Sequence, residues 1–341
     1  MSTPKRTARA PARTLVTGGA GFIGSHLCDR LLAAGREVVV IDNLSTGRSS
    51  NLPEAHDRLT FIEADLGSLV NELGHQGELG AFDEVYHLAA AVGVQLVMEK
   101  PVESIETNVT LTADLLKASL TSGPSGGPSR VLVASSSEVY GKGVGEVFSE
   151  EDDVVYGPTT VTRWSYAASK ALDEHLALAY HRQSQLPVVI ARFFNTVGPR
   201  QIGTYGMVLP RFVDAALQNK PLKVFGEGTQ SRCFCDVRDV VGVLPELLSH
   251  SNCFGRVFNV GSDHPISINE LAQTVIATLG SKSKVEHTPY SEAYPAGFED
   301  LRRRRPDLSR LREAVGFEAR VPLEQTIQDL ARTLRAQAGV A

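Results

Sequence analysis

The chain has 341 residues, of which 42% are apolar and 21% charged, with a formal net charge of -5. That length suits one large α/β unit with an appended part rather than one small core. The acidic balance offers no surplus of cations for phosphates, so nucleic acid is set aside as a partner. No run approaches the roughly 18 apolar residues of a membrane span, so no membrane association is expected.

Four cysteines, Cys28, Cys233, Cys235 and Cys253, in so long a chain do not form a disulfide framework. The "CFC" spacing is wrong for a zinc knuckle and reads as two residues of one strand, so no metal is expected. A reducing, cytoplasmic setting follows. The opening "MSTPKRTARAPAR" is basic and lacks an apolar centre. Residues 1–11 are expected to be a mobile tail rather than a signal peptide.

In chain order, "RTLVTG" is a β-branched strand, and "FIGSHLCDRLLAAG" is a helix stopping at Gly35. Further strands follow in "EVVVID", "LTFIEAD" and "EVYHLAA", then a long helix over "VESIETNVTLTADLLKASL". "SGPSGGPS" is a surface loop, "RVLVASSS" a fifth strand, and "LPVVIARFF" a sixth, after a helix that carries Lys170 and runs to about Gln183. Near-continuous apolar strands alternating with helices predict an α/β fold, a Rossmann doubly wound parallel sheet covered on both faces. Beyond residue 192 the rhythm breaks into shorter pieces, with helices in "GMVLPRFVDAALQ", "SINELAQTVIATLG" and "VPLEQTIQDLARTLRAQA" and a strand in "LKVFGEG". This reads as a smaller mixed α/β substrate domain, over 192–228 and 263–337. The dinucleotide-binding domain covers 12–191, with 229–262 returning to it through the strand-like "FNVGS".

"VTGGAGFIGSH" sets Gly18, Gly21 and Gly24 at three-residue intervals between a strand and a helix. Glycine permits the tight turn and lets backbone N–H groups approach a pyrophosphate at a helix N-terminus. The next strand ends in Asp42, whose carboxylate suits ribose hydroxyls and repels a 2′-phosphate, so NAD is favoured over NADP even with Arg48 nearby.

"RWSYAASKALDEH" places Tyr166 and Lys170 four residues apart, on one helix face. A free phenol has a pKa of roughly 10 and is a poor base at neutral pH. A neighbouring ammonium favours the phenolate, as does a pyridinium ring. "VLVASSSEVYG" is a strand running out into serines at the sheet's carboxyl end, where Ser136 is placed to share a substrate hydroxyl.

"TGGAGFIG", "IDN", "HLAA", "SSSEVYG", "YAASK" and "RFFNTVGPR" occur in that order. The set resembles the extended short-chain dehydrogenase/reductase family, in its nucleotide-sugar epimerase, dehydratase and decarboxylase branch. The resemblance covers nearly the whole chain and implies a tightly bound, recycled NAD and a UDP-sugar substrate. It implies Tyr166 as acid/base, Lys170 as its electrostatic partner and Ser136 as hydroxyl partner. Around the cofactor it implies Phe22 and Ile23 with the glycines; Asn43, Ser45, Thr46 and Gly47 after Asp42; and Asp65 and Leu66 near the adenine. Leu88, Ala89, Ala90 and Asn108 complete that set. On the substrate side it implies Ser135, Ser137, Glu138 and Asn195, with Val208, Leu209, Arg211, Val224 and Phe225. Arg232 and Arg302 are the two candidates for the diphosphate, a task suited to guanidinium geometry. The helices over 101–120 and 165–183 resemble the family's dimer-forming pair, so a homodimer is expected.

The branch shares oxidation at sugar carbon 4 and then diverges. Dehydratases carry an Asp before the Glu of "EVYG"; here Ser137 stands there and protonates a leaving hydroxyl poorly. UDP-glucuronate decarboxylases carry an Arg in a "DGRVV" segment; here Met207 stands there, with Arg211 one helical turn on. The tail "PYSEAYPAGFEDLRRRRPDLSRL" resembles bacterial nucleotide-sugar epimerases, including UDP-glucuronate 4-epimerases of antibiotic pathways. The expected activity is therefore 4-epimerisation of UDP-glucuronate, an isomerase reaction, with Arg192 near the sugar carboxylate. Decarboxylation, UDP-glucose epimerisation and a NAD-binding regulatory role without turnover are the alternatives.

Overall fold

The computed structural model describes residues 12–74, 77–90, 101–143, 145–203, 207–289 and 304–337. The first half alternates strand and helix as β1 (Arg13–Thr17), α1 (Phe22–Ala33), β2 (Glu37–Asp42), β3 (Leu59–Glu63), a short α2 (Leu66–Leu69), β4 (Glu84–His87), α3 (Pro101–Ala118), β5 (Arg130–Ser136), α4 (Arg163–Ser184) and β6 (Val188–Phe193). There follow β7 (Thr196–Val197), α5 (Val208–Leu217), β8 (Leu222–Phe225), β9 (Ser231–Cys233), β10 (Cys235–Asp236), α6 (Val237–Ser249), β11 (Arg256–Val260), β12 (Pro265–Ser267), α7 (Ile268–Leu279), β13 (Val285–Thr288), α8 (Ser309–Val315) and α9 (Leu323–Gln337).

Seven strands form one sheet in the order β11-β6-β5-β4-β1-β2-β3, every pair parallel. The strands are apolar throughout because both faces are covered. Alternate residues face opposite ways. Val38, Val40, Leu132, Val189 and Phe258 join the core under α1 and α6, while Val39, Ile41, Val131, Val133 and Ile190 join the core shared with α3 and α4. Strand order reverses between β1 and β4, which opens a crevice at their carboxyl ends.

A third core, built on Leu209, Phe212, Leu222, Val224, Leu271, Ile327 and Leu330, holds α5, α7 and α9 together. The segment around α8 differs from the sequence expectation that placed 263–337 in the smaller domain. Leu308, Leu311 and Phe317 are buried in the core of the main sheet, because their apolar side chains cover β11 and α6. All four cysteines are buried and free. Among the described residues no helix is long and apolar enough to cross a membrane, and no cluster of His, Cys, Asp or Glu has a metal-holding arrangement.

Phe258 on the returning strand β11 is fully buried. Phe258→Ala is expected to cost about 3–5 kcal/mol through lost burial and the cavity left behind, read as a lower urea midpoint with an unchanged slope.

Candidate active site

A cleft of about 650 Å³ lies at the carboxyl ends of the strands. Gly18, between β1 and α1, adopts φ +70, and a Cβ there would sit 2.8 Å from the Ala89 nitrogen. A Cβ on Gly24 would lie 2.2 Å from the Gly18 carbonyl oxygen. The first glycine lets β1 pass close to the end of β4, and the second lets α1 press onto the turn. The shallow cradle they leave is lined by Gly21, Phe22 and Ile23. Asp42 ends β2 and accepts hydrogen bonds from the Ala20 and Leu44 N–H groups at 2.9 and 2.8 Å. Asn43, Ser45 and Thr46 extend that side, Asp65 and Leu66 stand beyond β3, and Leu88, Ala89 and Ala90 follow β4. Backbone amides, helix N-terminus and carboxylate together suit a dinucleotide with a free ribose 2′-hydroxyl.

Two residues expected in this set stand behind the wall of the cleft. Gly47 packs on Ala20, where a Cβ would come within 3.0 Å of the backbone. Asn108 is buried on α3 and donates to the Ser169 hydroxyl at 3.4 Å.

Tyr166 and Lys170 project from the first turns of α4 into the same cleft, opposite Ser135, Ser136, Ser137 and Glu138 at the end of β5. Tyr166 is hydrogen-bonded to Ser136. Burial first, then the nearby Glu138 carboxylate, pushes the phenol well above its ordinary pKa, and the Ser136 bond only partly opposes this. The Lys170 ammonium is bonded to Asp173 at 2.9 Å. Activating the phenol therefore requires cationic charge beyond what these side chains supply by themselves.

Glu138 is held by guanidinium groups. Arg304 bonds to its Oε1, and Arg163 lies 3.5 Å from its Oε2. Burial pushes this carboxyl upward, but Arg304, Arg163 and Arg232 more than offset that and hold it below the usual carboxylate range. Asn195 lines the cleft and donates to the Cys233 carbonyl at 3.4 Å.

The remaining substrate candidates are placed differently. Arg192 is committed inside the fold, where Nε and Nη2 donate to both oxygens of Glu174 at 2.9 and 2.7 Å. Its guanidinium also lies 4.7 Å from the Tyr140 ring centroid. Leu209 and Val224 are buried in the core of the smaller domain, Val208 packs against it, and Arg211 stacks 4.6 Å over Phe225. Arg302 lies outside the described residues; its neighbour Arg304 reaches the cleft.

Sequence reasoning missed Arg304 and Arg163. The signal for Arg304 was period two: Arg304, Pro306 and Leu308 are buried while Arg305 is exposed. Counting back in twos from Leu308 through an extended segment selects Arg304 from the run of four arginines. His87, also unassigned, is a structural tie, accepting or donating to Thr17 at 2.8 Å and Thr112 at 3.1 Å.

A family model described as the NAD dependent epimerase/dehydratase family matches residues 14–261. A UDP-N-acetyl-alpha-D-glucosaminuronate decarboxylase of Bacillus cytotoxicus is 41% identical over 324 residues, covering 95% of this chain and 98% of that protein. UDP-glucuronic acid decarboxylase 4 of Arabidopsis thaliana is 34% identical, covering 96% of this chain and 69% of its own length. Among solved structures, the UDP-glucuronic acid 4-epimerase of Bacillus cereus, in complex with UDP-glucuronic acid and NAD, superposes with a TM-score of 0.80. It is 28% identical and covers 95% of this chain and 99% of that one.

Gly18→Ala strains a left-handed backbone and drives a methyl group into the Ala89 peptide. It is expected to weaken NAD binding by at least about 10-fold, as measured by fluorescence titration of the folded variant.

Proposed function

The chain belongs to the NAD dependent epimerase/dehydratase family, and within it we propose that it oxidises a UDP-hexuronate at carbon 4 and removes its carboxyl group as carbon dioxide. The observation that carries this reading is the Arg304–Glu138 pair, which lines the same cleft as Tyr166. Arg163 and Arg232 stand near the same carboxylate, so three guanidinium groups face one Glu. A positive wall of that kind suits a sugar carboxylate and offers little to an uncharged hexose.

Bound in the glycine-lined cradle, NAD supplies a reversible hydride acceptor. Tyr166, hydrogen-bonded to Ser136, takes the proton of the carbon 4 hydroxyl as that carbon is oxidised. Lys170, on the same helix face, biases the phenol toward its ionised form. The oxidised sugar is a β-keto acid. Its carbon 5–carbon 6 bond breaks, the electron pair passes to the carbon 4 oxygen, and carbon dioxide leaves. Carbon 5 then takes a proton from solvent as the carbon 4 carbonyl re-forms, and Tyr166 returns its proton as that carbonyl is reduced, leaving a UDP-pentose and an unchanged cofactor. Arg304 would bind the carboxylate. The Glu138 charge beside it makes retaining a second carboxylate costly, and departure of carbon dioxide relieves that repulsion.

The 41% and 34% identical relatives support decarboxylation. The second reading, 4-epimerisation, is the one the sequence favoured, and Met207 in the cleft wall supports it. A methionine at that place makes no ionic anchor, which leaves the hexose half freer to turn its other face to the cofactor. We also propose a homodimer through α3 and α4, supported by their packing together and by the exposure of Val102, Ile105 and Leu172.

Incubation with UDP-glucuronate and its 2-acetamido counterpart is expected to release carbon dioxide and a UDP-pentose from at least one. Inversion at carbon 4 with the carboxyl retained would overturn decarboxylation in favour of epimerisation. Tyr166→Phe is expected to lower kcat about 10²–10⁴-fold, and Arg304→Gln to impair turnover while the enzyme still binds NAD.

A further inference from the structure

Lys170 and Asp173 sit one helical turn apart on α4, with Nζ to Oδ2 at 2.9 Å and side-chain exposures of 3% and 0%. An ion pair so fully removed from water is rarely an accident of the surface, because each charge pays a desolvation cost that only its partner offsets. We propose that Asp173 is a positioning residue for the proton transfer at Tyr166. Its carboxylate anchors the Lys170 ammonium on the buried side of α4 and limits how much positive charge the phenol oxygen feels. The proposal rests on the reading of Tyr166 as the acid/base.

The surroundings leave Asp173 that role. From β4, His87 approaches, but burial and the Lys170 charge push its pKa down to about 3, so it contributes no cation near neutral pH. From α3, Thr112 contributes only a hydroxyl, which also meets His87. On α4 itself, Glu174 is engaged by Arg192 and by the Ser135 hydroxyl. From the turn after β5, Glu138 faces Tyr166 and is held ionised by Arg304 and Arg163. Burial, the largest effect, leaves the Asp173 carboxyl above its ordinary range, with Lys170 and the Thr112 hydroxyl opposing part of that rise. Tyr166 thus faces the Glu138 and Asp173 carboxyl groups and the Ser136 hydroxyl, with Lys170 lining the same cleft from its own helix.

The sign follows from charge. An anion near Tyr166 raises its pKa, as Asp173 does here. Removing that anion lowers the phenol's pKa and leaves more of the Lys170 charge to act on it. Oxidation of the carbinol needs the phenolate, so activity rises as pH passes the phenol's pKa. Asp173→Asn and Asp173→Ala remove the charge and differ in volume. Both are expected to move the acid limb of the kcat profile of the NAD-loaded enzyme toward lower pH by about one unit, and Asp173→Glu to return it toward the wild-type position.

A purely structural Asp173 would lower kcat evenly across pH and leave the limb in place; that result in either neutral variant overturns the proposal. Should Asn not fold, Ala decides. If neither of these folds, a third neutral variant, Asp173→Ser, decides by phenolate absorbance titration against Tyr166→Phe: a lowered Tyr166 midpoint supports the proposal, and an unmoved midpoint sinks it. Wild-type turnover in Tyr166→Phe would instead remove the acid/base reading itself. An inactive Tyr166→Phe beside an unmoved limb in the Asp173 variants removes only the positioning role.

Discussion

The geometry of the cleft depends on the bidentate ion pair between Arg192 on β6 and Glu174 on α4. Glu174 also accepts a hydrogen bond from Ser135 on β5, so one carboxylate ties the helix carrying Tyr166 to the two strands beneath it. Arg192 lies against the Tyr140 ring, and the Tyr140 hydroxyl donates to Asn259 on β11 at 2.6 Å. Glu174 and Arg192 are both nearly closed to water. Removing one partner would strand the other charge at a cost of about 3–5 kcal/mol. Helix and strand are thereby held in one register, and the hydrogen bond between Ser136 and Tyr166 spans the gap between them.

Electrostatically, the cleft has two sides. Around the cofactor cradle stand the carboxylates of Asp42 and Asp65, each already bonded to backbone amides. Around the opposite end, guanidinium groups outnumber the single Glu138. The phenol lies between these, held toward its neutral form by burial.

Much of this was legible in the residues. The parallel sheet followed from apolar runs alternating with helical periods, and the glycine turn with Asp42 specified where a dinucleotide fits. The sequence could bring Tyr166, Lys170 and Ser136 to one cleft because local spacing puts two of them on one helix face and a strand end delivers the third. Arg192 was misplaced because a strand residue near the sheet's exit has two faces, and only tertiary packing against Glu174 selects the inward one. Arg304 was not singled out because four identical side chains carry no local label; the alternation that marks it starts at Leu308, beyond the run. The placement of α8 on the main sheet was hidden for a related reason: Leu308, Leu311 and Phe317 look equally suited to either core.

The short bridge between Phe148 and Pro306 gives Arg304 its foothold, reinforced by Asn259, whose amide donates to the Phe148 and Asp307 carbonyls. Among the described residues that line the cleft, all but Arg304 and Gln337 come from the first two-thirds of the polypeptide. On the ribosome, where segments emerge from the N-terminus onward, the groups that cradle the cofactor are made well before Arg304. A nascent chain therefore exposes the framework of the cradle while Glu138 still lacks this guanidinium partner.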